Sequence, residues 1–259
     1  MTRALVSVVI AAYNSMPYLD ETLRSLFGQS YRPLEVVVAD DGSSDGTGDY
    51  LVWARRWLAP ADVSLVYLAN AVNEGTGHAR NRGLRAASGD LLTVFDHDDV
   101  MLPGGIESRV RWLRENGGDA VYARRDRLIH QGSARVVAHR DEPFESDGFT
   151  ALRSARDQLV YLRRRRRTFP HTTLLYRREV LGAVGFHPEA RALLGMEHYG
   201  WLLKFHHHYW AGDLGESVLL MRRGHRPDHL ALRWKNHPDF PHVFDTVLVP
   251  AIEADLAGG

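Results

Sequence analysis

The first hundred residues repeat one pattern: a short apolar run rich in β-branched residues, then polar or acidic residues, then a segment with helical spacing. Continuous apolar strands are typical of a parallel sheet whose two faces are both covered by helices. The alternation predicts an α/β fold with a Rossmann-like, doubly wound, mostly parallel sheet and helices on both faces. The predicted strands are 5–14, 33–42, 63–70 and 90–95, and the predicted helices include 17–28 and 76–87.

The later chain departs from that regular alternation. We divide the sequence into a first half, residues 1–100, a second half, residues 101–225, and a helical tail, residues 226–259. The elements predicted after residue 100 are helices at 104–115, 178–184, 196–208 and 241–255, and strands near 119–122, 126–138, 172–177 and 217–222.

Composition excludes several classes of function. The 259 residues contain 32 basic and 32 acidic side chains, so no net charge draws the chain toward nucleic acid. The absence of cysteine excludes disulfides, thiolate metal sites and a cysteine nucleophile. No apolar run approaches the ~20 residues of a membrane span, and residues 1–15 lack a secretory signal pattern. We therefore expect a soluble cytoplasmic protein that has no transmembrane span and does not bind nucleic acid.

Acidic side chains follow two of the predicted strands. Asp40 and Asp41 come after the second strand, and the segment DHDD, residues 96–99, closes the fourth. The carboxyl ends of parallel strands share the edge at which such sheets bind ligands, so these carboxylates predict a site. Their mutual repulsion calls for a cation, and their oxygens suit the hard cations Mg²⁺ and Mn²⁺.

Two common phosphate-binding signatures are absent. No GxGxxG follows the first strand, and no GxxxxGK[ST] occurs anywhere in the chain. A divalent ion that bridges protein carboxylates to a diphosphate is the arrangement that the sequence then favours.

Five segments carry a resemblance to a known family. They are, in order, SVVIAAYN, VVVADDGSSDGT, NEGTGHARNRG, FDHDDVMLP and GMEHYGWLLKF. Together they resemble the inverting GT-A glycosyltransferases of family 2, over residues 5–225. The resemblance implies a GT-A domain over 1–225, with a nucleotide-binding half (1–100) and an acceptor half (101–225), in which the sheet is accompanied by a smaller acceptor-side subregion. It also implies transfer of a sugar from a nucleoside-diphosphate sugar to an acceptor hydroxyl.

The resemblance implies four residues at the nucleoside end of the donor. Ala11 and Tyr13 match positions that line the base, although Tyr13 is equally consistent with an aromatic packed at a strand end. Asp41 matches the carboxylate that accepts a hydrogen bond from a pyrimidine imide, which favours UDP or dTDP. The alternative for Asp41 is to cap the turn in DDGS. Arg80 matches an arginine on the base or phosphate side, and its alternative is a solvated helix surface.

The resemblance also implies a metal site that holds Mn²⁺ or Mg²⁺. Asp96 and Asp98 match the D-x-D motif, with Asp98 as a direct ligand and Asp96 on the ribose or a metal-bound water. Asp99 would support the metal or the donor sugar. His225 matches a late histidine near the metal and diphosphate. The alternative for the three aspartates is an acidic loop that caps the next helix, and the alternative for His225 is a surface histidine.

The proton acceptor is the point at which this chain departs from the family. Related enzymes place Glu-Asp at the start of a late helix, with the Asp as base, but here the pair is Glu197 and His198. His198 stands at the Asp position, and a histidine with its ordinary pKa of ~6.5 can serve as a base near neutrality. Its helical spacing with Leu202 and Phe205 is also that of a buried stripe, in which case Glu197 is the base.

Two runs of like residues have simpler interpretations. The histidines 206–208 are consecutive helical residues that point about 100° apart, so they do not bind one ion together. The arginine run 163–167 is interpreted as a solvated loop. Its alternatives are contact with an anionic acceptor or peripheral contact with an anionic membrane.

The leading hypothesis is a metal-dependent inverting glycosyltransferase of cell-envelope or natural-product glycosylation. The alternative is a nucleotide-sugar-binding protein of the same fold with weak or no catalytic activity, because His198 replaces the expected Asp. A nucleotidyltransferase would need a glycine-rich, basic loop after the first strand, and AAYNSMP has none.

Overall fold

A computed structural model describes residues 3–16, 18–131, 134–138, 149, 152–165, 171–189, 197–223 and 249–250. Its strands are β1 (Val6–Ala12), β2 (Leu34–Asp40), β3 (Val63–Ala69), β4 (Leu91–Asp96), β5 (Val100–Met101), β6 (Ala120–Gln131), β7 (Ala134–Ala138), β8 (Leu175–Arg177) and β9 (Gly212–Arg223). Its helices are α1 (Tyr18–Phe27), α2 (Thr47–Trp57), α3 (Thr76–Ala86), α4 (Gly105–Asn116), α5 (Ala155–Arg165), α6 (Val180–Val184) and α7 (Glu197–His208). A 3₁₀ turn, His171–Thr173, precedes β8.

The described strands form one mixed sheet in the order β3-β2-β1-β4-β8-β6-β9-β5, with β7 paired to β6. The first four strands along the chain are parallel to one another. Their register places Ala11 opposite Asp96 and Ala12 opposite Asp40, so these strands end at the same level. The polar edge predicted from the sequence is therefore confirmed.

Two apolar cores lie on opposite faces of the sheet. Alternate strand residues point to opposite faces, so Val8 and Ile10 pack with apolar side chains of α1, α2 and α4. Val9 faces the other core, which α3, α5, α6 and α7 complete. Helices on both faces explain the continuous apolar strands, and the predicted doubly wound architecture is confirmed.

Helix α1 has the sequence features expected of a helix that covers one sheet face. Leu19, Leu23 and Leu26 recur at helical spacing and are fully buried. Asp20 and Glu21 lie in the first turn, where the helix dipole favours negative charge. The helix therefore packs its apolar stripe on the sheet and presents Glu21 near the strand ends.

Several boundaries in the later chain differ from the predictions. The two predicted strands near 119–122 and 126–138 are instead one long strand, β6, followed by its hairpin partner β7. Pairing with β9 over most of its length keeps β6 extended through the polar residues 124–127, which local propensity does not favour. β9 for the same reason begins at Gly212, ahead of the predicted start at 217.

The loop predicted for the arginine run is wrong for residues 163–165, which form the end of α5. Leu162 is fully buried in the core, and this anchoring keeps the following arginines helical. The predicted tail helix at 241–255 lies outside the described residues, apart from 249–250. Within the described part of the chain, no helix has the length and apolar character needed to cross a membrane.

Candidate functional site

The acidic loop, residues 96–99, begins at the last residue of β4 and forms hydrogen bonds with α1 and β1. The hydroxyl of Thr22 on α1 donates to the carbonyl oxygens of His97 and Asp99, at 2.9 and 2.8 Å. The His97 ring turns toward β1, with Nδ1 3.2 Å from the carbonyl oxygen of Ala11. The loop is therefore held in place between the ends of β1 and α1.

Asp96 lies between two basic groups. Its Oδ1 is 3.4 Å from Nη2 of Arg80 and 3.6 Å from Nε2 of His171. Partial burial raises the pKa of Asp96, but His171, Arg80 and His97 outweigh burial and hold this pKa well below its usual value. Asp96 is therefore a carboxylate at neutral pH, and its side chain remains 38% exposed.

Asp98 and Asp99 are both buried. Burial, together with the charges of Asp98 and Asp96, raises the pKa of Asp99 well above its usual value. Oδ1 of Asp99 accepts the backbone N–H of Arg222 at 3.0 Å, whereas Oδ2 has no hydrogen-bond partner among the described residues. A crowded, half-satisfied carboxylate of this kind is stabilised by a nearby cation.

Arg80, on α3, is buried with 6% of its surface exposed. The solvated-surface alternative is therefore wrong. Its Nη2 approaches Asp96, but Nε and Nη1 have no hydrogen-bond partner within the described part of the chain. Buried guanidinium N–H groups without acceptors are suited to a phosphate or another anion.

The start of α7 lies beside the acidic loop. The ring of His198 packs on the ring of His171, with centroids 4.5 Å apart, and His171 in turn contacts Asp96. Burial, His171 and Arg80 lower the pKa of His198 well below its usual value. The fold therefore places His198 next to the ionised Asp96, although 102 residues separate the two in sequence.

Glu197 is 5% exposed and lies against the first turn of α3. A Cβ added at Gly77 would stand 2.9 Å from Cγ of Glu197 and 2.5 Å from the carbonyl oxygen of Pro188. The absence of a side chain at Gly77 is therefore what allows α7 to begin this close to α3.

Asp41 holds the segment that leads into α3. Its Oδ1 accepts hydrogen bonds from Nδ2 of Asn70 and from the backbone N–H of Glu74, at 2.8 and 3.0 Å. Its Oδ2 accepts the backbone N–H of Gly75 at 2.8 Å. The prediction that Asp41 alternatively caps the DDGS turn is wrong, because the carboxylate caps the loop after β3.

The turn after β2 is instead held by Asp40, whose Oδ1 accepts the backbone N–H of Ser43 at 3.0 Å. Tyr13 is 44% exposed, so the packed-aromatic alternative for this residue is wrong. Ala11 lies at the level of Asp96 on the neighbouring strand. Tyr13 and Ala11 therefore lie at the same sheet edge as the carboxylates.

Two histidine predictions have different outcomes. His206 is fully buried with Nε2 3.0 Å from the hydroxyl of Tyr122, whereas His207 and His208 are exposed, so the structural interpretation of this run is confirmed. His225 lies outside the described residues.

His171 is the site residue that sequence reasoning missed. It is a single histidine before β8, with no acidic or glycine-rich neighbours to draw attention to it. Only the tertiary structure brings its ring between Asp96 and His198.

The oxygen ligands of the acidic loop suit a divalent cation whose remaining coordination positions are filled by substrate oxygens. In the described ranges, no group of three or more His, Asp or Glu residues is arranged to hold a metal ion. Mg²⁺ at phosphate-transferring sites uses one or two carboxylates and takes further ligands from phosphates and water. The ionised Asp96 and the buried Asp98 offer two such carboxylates, and the half-satisfied Asp99 follows them in the loop.

The sheet and its two helical layers form a GT-A fold. The mannosyltransferase PcManGT from Pyrobaculum calidifontis, solved with GDP-Man and Mn²⁺, has the same fold, with a TM-score of 0.68 over 90% of this chain and 61% of that one, at 23% identity. TarS residues 1–349 from S. aureus, solved with UDP-GlcNAc, gives a TM-score of 0.66 over 92% of this chain and 64% of that one, at 21% identity.

The chain belongs to the family described as glycosyl transferase family 2, whose sequence model matches residues 7–185. An uncharacterized glycosyltransferase of Haemophilus influenzae is 36% identical over 112 residues, which are 43% of this chain and 33% of that protein. The putative teichuronic acid biosynthesis glycosyltransferase TuaG of Bacillus subtilis is 32% identical over 113 residues, 44% of this chain and 43% of TuaG. The aligned region is therefore less than half of each relative.

Proposed function

We propose that this glycosyltransferase is metal-dependent and inverting, and that it transfers a sugar from a nucleoside-diphosphate sugar to an acceptor hydroxyl. The observation that carries the proposal is the chain of contacts from Arg80 through Asp96 and His171 to His198. One end of this series of contacts offers carboxylates and a buried guanidinium for a diphosphate and its cation. The other end offers a proton acceptor. The groups that would bind the leaving diphosphate therefore lie near the group that would take the acceptor's proton.

At the donor side, Asp98 and Asp96 would hold Mn²⁺ or Mg²⁺, with Asp99 beside them. The bound cation supplies positive charge that stabilises the leaving diphosphate. Nε and Nη1 of Arg80 are buried donors without acceptors in the described residues, and they suit a phosphate oxygen or a base carbonyl.

The nucleoside would lie over Ala11 and Tyr13, with Tyr13 free to stack on the base. Oδ2 of Asp41 accepts a single hydrogen bond, from Gly75, in the described structure, so a lone pair remains for an imide N–H. An imide donor is present in uracil and thymine, and this favours UDP or dTDP sugars. The nucleotide sugars in the TarS and PcManGT structures support a donor of this general class.

We assign the base to His198 and a supporting position to Glu197. His198 is half-buried beside Asp96, and its lowered pKa keeps the ring neutral and able to take a proton at neutral pH. Glu197 packs under α3 with 5% exposure, out of easy reach of an acceptor. The acceptor oxygen would bond to the anomeric carbon, its proton would pass to His198, and the diphosphate would leave with the electron pair.

Donor hydrolysis tests both the function and the base. We expect UDP- or dTDP-sugars to yield free nucleoside diphosphate slowly in the presence of Mn²⁺, and Asp98→Ala to abolish the Mn²⁺-dependent part of the thermal shift. His198→Ala should lower turnover at least ~10²-fold without weakening nucleotide binding. His208→Ala, an exposed histidine on the same helix, is the matched control and should leave turnover unchanged.

The same experiment separates the competing assignments. If Glu197→Gln lowers turnover and His198→Ala does not, Glu197 is the base. Tight nucleotide binding without turnover would favour the alternative of a nucleotide-sugar-binding protein of the same fold. A chain that binds no nucleoside diphosphate, with or without Mn²⁺, would contradict the proposal.

For the acceptor we propose a hydroxyl compound of cell-envelope or natural-product glycosylation, with an anionic acceptor as the favoured subclass. Arg163 and Arg164 are exposed at the end of α5 and could contact phosphate or carboxylate groups. The similarity to TuaG supports an acceptor of this kind. Replacing both arginines with glutamine should raise KM for an anionic acceptor and leave donor hydrolysis unchanged.

A further inference from the structure

Arg222 is a buried arginine that contacts the acidic loop from a part of the chain beyond the family match. It lies on β9, after the matched residues 7–185, and only 1% of its surface is exposed. Its Nε donates to the carbonyl oxygen of Asp98 at 2.9 Å, and its backbone N–H donates to Oδ1 of Asp99. One residue of β9 therefore binds both residues at the end of the loop.

The same guanidinium also reaches α1. Nη2 pairs with the carboxylate of Glu21, and the guanidinium carbon lies 5.1 Å from the centre of the Tyr18 ring. These contacts on α1 fix the position of the guanidinium, which in turn fixes the Asp98 carbonyl. Arg222 thus connects the loop to α1 and to the sheet.

We infer that Arg222 is a positioning residue for the divalent cation, and this inference rests on the proposed function. Three carboxylates within four residues repel one another, so the loop needs outside contacts to keep them together. The bond from Nε holds the Asp98 backbone, and the backbone N–H of Arg222 holds the Asp99 carboxylate. Arg222 touches neither substrate nor cation, and it acts by setting where the Asp98 ligand stands.

Two substitutions separate the contacts of Arg222. Arg222→Lys keeps a positive charge that can pair with Glu21, but it loses the Nε donor that binds the Asp98 carbonyl. Glu21→Gln removes the ion pair, keeps an amide oxygen as acceptor and leaves the Nε bond in place. If the Nε bond is what positions Asp98, the lysine variant should be the more affected in cation binding.

The matched control is Arg109→Lys. Arg109 is fully buried like Arg222, but its hydrogen bonds to the described residues go to Gly105, Thr93, Thr173 and Met101, and none goes to residues 96–99. Loss of this arginine should lower Tm without changing cation binding. It therefore controls for the general effect of replacing a buried guanidinium.

The test is titration of Mn²⁺ followed by the electron paramagnetic resonance signal of free Mn²⁺, with saturating UDP and separately with GDP. We expect Arg222→Lys to raise the dissociation constant of Mn²⁺ about 10-fold or more, as is usual when a group that orients a metal ligand is lost. Glu21→Gln should raise it less than about 5-fold, because a partly exposed ion pair stabilises little. Arg109→Lys should leave it unchanged.

The outcomes distinguish this inference from the proposed function. If the unmodified protein binds Mn²⁺ with nucleotide and Arg222→Lys binds it equally well, the positioning role is wrong and the function stands. If Arg109→Lys weakens Mn²⁺ binding as much as Arg222→Lys, the effect is general destabilisation and the positioning role is again wrong. If the unmodified protein binds no Mn²⁺ with either nucleotide, the proposed function and this inference both fail.

Discussion

Gly77→Ala tests whether the close approach of α3 and α7 sets the catalytic geometry. The new methyl carbon would lie 2.5 Å from the carbonyl oxygen of Pro188 and 2.9 Å from Cγ of Glu197, whereas ordinary contacts begin at 3.4 Å. The two neighbours must therefore move away by about 0.9 and about 0.5 Å. Because Glu197 begins α7, the movement of about 0.5 Å required at its Cγ shifts the pair Glu197 and His198 relative to Asp96.

Gly77→Ala should lower stability modestly and turnover more strongly. Overpacking costs about 1–3 kcal/mol of the free energy of unfolding, and the helix preference of alanine over glycine returns up to about 1 kcal/mol. The net destabilisation should therefore be about 1–2 kcal/mol. A misplacement of about 1 Å lowers the rate on the order of 10²-fold. The shift of about 0.5 Å at Glu197 should therefore lower turnover roughly 10-fold, and Gly77→Ala should remain folded but lose most of its turnover.

The assay combines urea unfolding with donor hydrolysis, and Gly182→Ala is the control. Gly182 lies within α6, and a Cβ added there meets nothing within 4 Å. This control should gain slightly in stability and keep full activity. If Gly77→Ala retains the turnover of the unmodified protein, the contact between α3 and Glu197 does not set the position of the proposed catalytic pair.

Three further predictions follow from the electrostatics and hydrogen bonds of the site. The pKa of Asp99 is raised in the folded protein, so ionisation of this carboxyl at higher pH destabilises the fold. Asp99→Asn should therefore raise the Tm of the metal-free protein at pH 8 and change it little at pH 4. Asp41→Asn replaces one acceptor oxygen with a donor facing the N–H of Gly75 and should cost on the order of 1–3 kcal/mol in urea unfolding. The lowered pKa of His198 keeps its ring neutral below pH 6.5, so the acid limb of the turnover profile should lie below that pH; a limb above pH 7 would contradict the assignment.

The first four strands and the sheet edge that they form were predictable from sequence because two local signals agreed. Continuous apolar runs mark strands that are buried on both faces, and the polar residues after them mark the carboxyl ends. The positions of Asp41 and of residues 96–99 at one edge then followed from parallel pairing, and the register confirms them. Where such signals were weak, as in β6 and β9, the extent of each strand depends on its partner, which sequence spacing does not show.

The contacts of the site were less predictable than its location. The buried state of Arg80, the position of His171 between Asp96 and His198, and the bond from Arg222 to Asp98 all join segments far apart in the chain. Such contacts depend on how the second half packs on the first, and this packing cannot be inferred from the properties of single residues. The departure at His198 was visible in sequence, but the cause of its lowered pKa required the tertiary structure.

The insertion of β9 between β6 and β5 has a consequence for the order in which the protein matures on the ribosome. Arg222 and Asp99 are joined by a hydrogen bond across 123 residues of chain, so this bond forms only after β9 has been synthesised. The four parallel strands can associate earlier, since their pairings involve segments that emerge first. A nascent chain halted before β9 would already have its four parallel strands assembled, while its acidic loop still lacked the two hydrogen bonds from Arg222.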